Sequence, residues 1–213
     1  MSNNHEIFNE NCTQCARLSS FLSQIRQKYP EYYSKPVPSF GSDRPDLLIV
    51  GLAPGLHGAN ATGRPFTGDY AGILLYEMLH KHGFSNKPAS SNTNDNLKLK
   101  KCRITNAVRC LPPENKPIGD EIKNCNRYLR EELNNIEARA IILCLGVIAH
   151  KATVKALLLK QSDYQFKHGN IFKLSDGRTI IDSYHCSKYN THTKRLTKKM
   201  FNDIFKNIKK INK

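Results

Sequence analysis

The chain has 213 residues, the length of a single domain, and its 39% hydrophobic content is enough for one sizeable core. No apolar run approaches the roughly 20 residues a helix needs to cross a bilayer, and Met1–Glu6 lacks the basic and apolar regions of a secretory leader. A soluble, cytoplasmic, monomeric protein with no membrane partner is therefore expected, as one domain over 1–213. The formal charge of +15, from 33 Lys and Arg against 18 Asp and Glu, points to a polyanion, with nucleic acid first. A genome rich in Lys and Asn codons would account for part of that bias. Seven cysteines, an odd number, argue against a pure disulfide framework and leave metal ligation or buried thiols.

Asp46–Val50 is a short apolar run between Pro45 and Gly51, the pattern of a buried parallel strand that ends in a loop. Tyr70–His82 places Ile73, Leu74, Tyr76 and Leu79 at helical spacing and stops at Gly83. A polar stretch over Pro88–Lys101 leads to a second strand at Cys102–Val108, which Pro112-Pro113 breaks. Gly119–Asn135 reads as an amphipathic helix, Ala140–Gly146 as a third strand and Val147–Leu159 as a helix. Asn170–Leu174 and Thr179–Tyr184 flank Asp176-Gly177, a strong hairpin turn. Lys194–Lys210 carries Leu196, Met200, Ile204 and Ile208 on one face and lysines on the other, a basic closing helix. Strands alternating with helices predict a three-layer α/β/α fold around a mostly parallel, four-stranded sheet. Ligands then bind at the carboxyl ends of its strands, near Gly51, Asn106, Gly146 and His185.

Two features bear on chemistry. Cys12 and Cys15 form a C-x-x-C, and Cys110 and Cys125 lie far downstream. Four thiolates suit a structural zinc or an iron–sulfur cluster, and spacing does not choose between them or exclude unrelated buried thiols. A redox pair fits less well, because Cys12 and Cys15 precede any strand. Cys102, Cys144 and Cys186 sit in or just after apolar strands and read as core. Gly51-Leu52-Ala53-Pro54-Gly55 follows a strand and lets backbone amides approach a ligand, yet it has neither the Gly-Lys-Ser/Thr of a phosphate loop nor dinucleotide glycine spacing.

Gly51–Gly55, His57-Gly58-Ala59-Asn60 and Thr62–Asp69 together resemble the first motif of the type 5 uracil-DNA glycosylases. Ser183–Ser187, continuing through Asn190–Thr193 to Thr197, resembles the second motif of that family, and Ile104–Cys110 with Pro112-Pro113 its middle segment. The type 4 relatives carry Glu where this chain has Leu52, which with Asp69 favours type 5. The resemblance implies the fold of that superfamily, excision of uracil from DNA, and extension to other deaminated bases such as hypoxanthine. It also implies a 4Fe-4S cluster on Cys12, Cys15, Cys110 and Cys125.

A glycosylase must first extract its base from the stack. The resemblance makes Phe66 the surface on which the base lies. Asn106, at a strand end, can both donate to and accept from the uracil edge. His185 can donate to the oxygen on which charge develops, helped by backbone amides near Gly51, Leu52 and Ala53. Asp69 is the candidate to orient or deprotonate water; its position also suits a helix N-cap. Lys188, Asn190 and Arg195, with Lys194, Lys198 and Lys199, are candidate DNA contacts. Two rival readings are a metal-stapled nucleic-acid-binding module without catalysis and a small-molecule enzyme whose glycine loop takes a phosphate.

Overall fold

The computed structural model describes residues 8–212; Met1–Glu6, read above for a leader, lies outside them. The chain begins with α1 (Ala16–Lys28), β1 (Phe40–Gly41), β2 (Leu47–Gly51), α2 (Ala59–Thr62) and α3 (Tyr70–Lys81). It continues through β3 (Cys102–Asn106), α4 (Gly119–Asn134), β4 (Ile141–Leu145) and α5 (Val147–Ala156). β5 (Ile171–Lys173), β6 (Thr179–Ser183), α6 (Lys188–His192) and α7 (Lys198–Ile211) complete it.

β2, β4 and β6 are buried along their whole length, and β2 and β4 accordingly carry continuous apolar runs rather than an alternation, while β6 also buries Thr179, Asp182 and Ser183. Each strand still sends successive side chains to opposite faces. Leu47, Ile49, Leu143 and Ile181 face the core of α3 and α7, which includes Leu75, Phe201 and Phe205. Leu48, Val50, Ile142 and Ile180 face Leu129 of α4 and Ala152 of α5. The three-layer α/β/α reading is thus met.

The sheet has six strands in the order β1-β3-β2-β4-β6-β5, not four. The inner four are parallel, with Leu47 opposite both Cys102 and Ile141. The two added strands are antiparallel edges. β1 is only two residues, too short to carry a periodic signal, and exists through pairing with Ile104 and Arg103. β5 is the outer arm of the hairpin at Asp176-Gly177, and Gly177 adopts the left-handed conformation that turn requires.

Several boundaries move for local reasons. The closing helix starts at Lys198 because Thr197 caps it, its side chain accepting from the Met200 amide at 3.2 Å. α5 stops before Leu158, which is left-handed at φ +59°. α1 was not foreseen, although Leu18, Leu22 and Ile25 mark its buried face at helical spacing. Among the described residues no helix is long and apolar enough to span a membrane.

From β2 the chain runs outward to β3, then returns to β4 on the other side of β2. Such a reversal opens a crevice beyond the carboxyl ends of the central strands.

Candidate active site

That crevice is a cavity of about 420 Å³. Leu52, Ala53, Phe66, Asp69, Asn106 and His185 line it, so one site gathers the sequence-predicted residues from four separate segments. Lys188 stands at its edge.

The floor is the paired ends of β2 and β3, where Gly51 lies opposite Asn106. A Cβ on Gly51 would sit 2.3 Å from Asn106 Oδ1 and 2.8 Å from the Phe66 ring, so only glycine lets these groups converge. Asn106 is 3% exposed, and its Oδ1 has no hydrogen-bond partner. Leaving such an acceptor unpaired costs about 1–3 kcal/mol, a cost that a ligand N–H would remove. Phe66 is left-handed at φ +59°, a strained conformation for an aromatic residue. Packing enforces it: Gly72 admits the Phe66 carbonyl to a place where a Cβ would be 1.8 Å away. The Phe66 and His185 rings lie nearly parallel, 25° apart in plane with centroids 6.0 Å apart.

His185 follows β6. Burial pushes its pKa down to about 4, so the imidazole is neutral at neutral pH. Asn190 donates from Nδ2 to the His185 carbonyl at 2.8 Å, which fixes the backbone carrying that ring. The Asn190 amide is therefore turned inward to the protein. Lys188 is exposed at the rim, and the Arg195 guanidinium lies over the Tyr184 ring, 4.7 Å from its centroid.

Asp69 occupies the N-cap position of α3 without capping it. Its carboxylate instead turns to the glycine loop, where Ala59 N–H donates to Oδ2 at 3.1 Å. A Cβ on Gly55 or Gly58 would fall 2.2 or 2.0 Å from Asp69 Oδ1, so those glycines make room for the carboxylate. Burial raises its pKa, and backbone N–H groups of Ala59 and Gly55 partly offset that rise. The result is a more basic carboxylate than an exposed one.

Three lining residues, Tyr70, Ala71 and Asn115, were not among those the sequence marked for the site. Asn115 joins the cavity from the turn after Pro112-Pro113, at φ +57°. Asn is among the few residues that adopt this conformation readily, which is the one local signal that marked it.

Cys12, Cys15, Cys110 and Cys125 line a single separate pocket. Cys15 precedes α1, Cys110 follows β3 and Cys125 lies on α4, so the pocket joins three distant segments. Nitrogen donors point at the sulfurs: Arg109 N–H at 3.3 Å from Cys125, Asn124 Nδ2 at 3.6 Å from Cys15, and Arg127 Nη2 at 3.8 Å from Cys12. Burial, then the neighbouring sulfurs, push the Cys110 thiol up. Four cysteines around one pocket, with N–H donors at three of their sulfurs, suit a thiolate-bound group, whose positive charge would offset that burial. Cys102, Cys144 and Cys186 are buried, as expected of core residues. Cys144 also gathers with His150 and Asp182, but both His150 nitrogens are engaged, with Asp182 Oδ1 and the Tyr164 carbonyl, each at 2.7 Å. That group is a staple rather than an open ligand set.

Such a switch-point cleft, with a strained aromatic beside an unpaired amide oxygen, is the architecture of an enzyme that grips a flat heterocycle. The sequence model of the Uracil DNA glycosylase superfamily matches residues 38–209, and the chain belongs to that superfamily. It is similar to the Type-5 uracil-DNA glycosylase of Thermus thermophilus, 40% identical over 205 residues, covering 94% of this chain and 93% of that protein. The Type-5 uracil-DNA glycosylase of Pyrobaculum aerophilum is 40% identical over 191 residues, 88% of this chain and 83% of its own. That of Mycobacterium tuberculosis is 40% identical over 208 residues, covering 94% and 78% respectively.

Proposed function

We propose that this protein is a uracil-DNA glycosylase of the type 5 kind, which takes uracil out of DNA and hydrolyses its N-glycosidic bond to begin base excision repair. The observation that carries this reading is the buried, unpartnered Oδ1 of Asn106 beside Phe66. Uracil supplies the missing donor at N3–H and an acceptor at O4 for the Asn106 amide nitrogen. Cytosine has no N3–H to offer, so the orientation of this one amide separates the two bases.

The flipped base lies on Phe66. As the bond from C1′ to N1 breaks, its electron pair passes into the uracil ring and negative charge gathers on O2. The His185 imidazole, neutral because its pKa is about 4, donates its N–H to that oxygen. Asp69 orients water toward C1′, offsets the positive charge on the sugar and accepts the proton the water loses. Lys188 and Arg195, with the other exposed cations of the closing segment, hold phosphates without reading sequence. Acceptance of hypoxanthine and other deaminated bases belongs to the same reading, since Leu52 and Ala53 present apolar side chains to the cavity.

The four clustered cysteines hold a 4Fe-4S cluster in this reading. The group supplies cross-linking, tying α1 to β3 and α4, and lies in a pocket apart from the one that takes uracil. In the same reading the enzyme works as a monomer on cytoplasmic DNA, a reading supported by the gathering of Phe66, Asp69, Asn106 and His185 of one chain around a single cavity.

The deciding experiment is alkali-induced strand cleavage of labelled duplexes with one uracil or one hypoxanthine. Release of uracil by the wild type and its loss in Asp69→Asn and His185→Ala upholds the reading. Release of no base from any duplex, with DNA still bound, replaces it by a binding module.

A further inference from the structure

A second cavity, of about 430 Å³, lies beside the first, and Tyr70 lines both. Its walls are Ile73 and Leu74 of α3 and Thr191 and Lys194 at the end of α6, with Leu196 behind. Glu77, Thr197 and Lys198 complete the lining, and the helices beside the cavity expose large apolar side chains. Ile73 is 65% exposed, Tyr70 42% and Tyr189, on α6, 70%. These are three of the seven large apolar side chains exposed among the described residues, and they fall on two adjoining helices at the mouth of the site. Tyr70 is held upright by an edge-to-face contact with His192, their centroids 5.6 Å apart. The wall between the two cavities is therefore aromatic. The reaction described above uses none of Tyr70, Ile73 or Leu74.

Resting on the glycosylase reading, we propose that this second cavity is a subsite for the nucleobase next to the target in the same strand. That base leaves the stack and packs against Tyr70 and Ile73, while Lys194 meets the phosphate between the two nucleotides. The shared wall selects this occupant. With the target base in the first cavity, the neighbouring nucleotide of its own strand is tethered one phosphodiester away, whereas a base of the complementary strand has no such tether. The contacts on offer are faces, not edge-reading pairs, so any base fits, with purines favoured for their larger area. Context dependence at the nucleotide flanking the lesion follows from stacking.

The test uses a duplex carrying 2′-fluoro-2′-deoxyuridine, which resists cleavage, with the base removed from the nucleotide on its 5′ side, its 3′ side or directly opposite. Kd is measured by fluorescence anisotropy for the wild type and for Ile73→Ser, a substitution at an exposed position that leaves the fold intact. Loss of one same-strand neighbour should weaken wild-type binding on the order of tenfold, the size of one lost base-stacking contact. Ile73→Ser should bind less tightly and lose that dependence, and on cleavable uracil its KM should rise with kcat retained. Wild-type binding indifferent to both same-strand neighbours overturns the proposal. So does an equal loss in wild type and Ile73→Ser, or a dependence confined to the opposite base. Uracil release from the ordinary duplex is scored alongside, so failure of the glycosylase reading shows as no release, separately from the Kd comparison.

Discussion

Asp69 and His185 owe their chemistry to where they are buried rather than to each other. Asp69→Asn keeps the shape but removes the base, so kcat should fall on the order of 10²–10⁴-fold with little change in KM, measured by single-turnover release of uracil. His185→Ala removes one donor to the leaving base, for a loss of about 10²–10³-fold. The pH profile separates their roles. The His185 imidazole stays neutral down to about pH 4, so the rate should show no step near 6.5, the ordinary value for histidine. The acid limb belongs to Asp69, whose raised pKa brings the fall in rate to a higher pH than an exposed aspartate would give. The same His185 shift bears on stability. Between about 4 and 6.5 the unfolded chain binds the proton and the folded chain does not, so stability is lost as pH falls through that window. Tm measured across it should drop more steeply for the wild type than for His185→Gln. The residue types at this site were legible in the sequence, but their directions were not. Asp69 sits at a helix start, where a capping role is the ordinary expectation, and only the glycine contacts show the carboxylate facing the loop. Asn190, a candidate DNA contact by its polar neighbours, spends its amide on the His185 carbonyl.

The elements hold the site through a few buried polar links. The polar stretch over Pro88–Lys101 is anchored by Asp95, which meets Arg64 Nη1 at 2.8 Å, with the two side chains 10% and 8% exposed. Burial works against the Asp95 charge, yet Arg64 and the Leu97 and Ser91 amides hold its pKa at about 2. Asp95→Asn leaves Arg64 buried and unpaired and should cost about 3–5 kcal/mol by urea denaturation. Because the folded pKa lies below the unfolded one, this contribution is present above about pH 4 and is lost as pH falls toward 2. Arg109, 1% exposed, makes a comparable link, donating to Ser39 Oγ at 2.7 Å and Glu132 Oε1 at 2.9 Å. Nothing local in the sequence marks these pairs, since their partners lie 31 and 23 residues away or more. The central strands and the helices α3, α4, α5 and α7 were legible because burial on one or both faces writes itself into apolar spacing, whereas α1 was passed over although its buried face has the same spacing. β1 and α6 were not legible, being two and five residues long.

At the scale of the molecule, the four-cysteine pocket closes the chain on itself. Cys125→Ser should give a protein without visible iron–sulfur absorption and with a lower Tm, the loss of colour and of stability occurring together. If stability falls without any colour in the wild type, zinc analysis distinguishes the other four-thiolate group. The charge of +15 should make DNA affinity fall linearly in log–log with salt. Lys188→Ala should reduce that slope by about 0.9, one duplex phosphate contact, with little change in base preference.

The sequence by itself determined the layer architecture and the parallel centre of the sheet, and it marked the segments from which the cavity is built, because apolar periodicity and short motifs are local properties of the chain. Tertiary structure alone decided which groups face one another. The empty acceptor of Asn106 beside Gly51, the strained Phe66, the neutral His185 and the second cavity behind Tyr70 each arise where distant segments pack, and burial, which sets their chemistry, is a property of the folded whole.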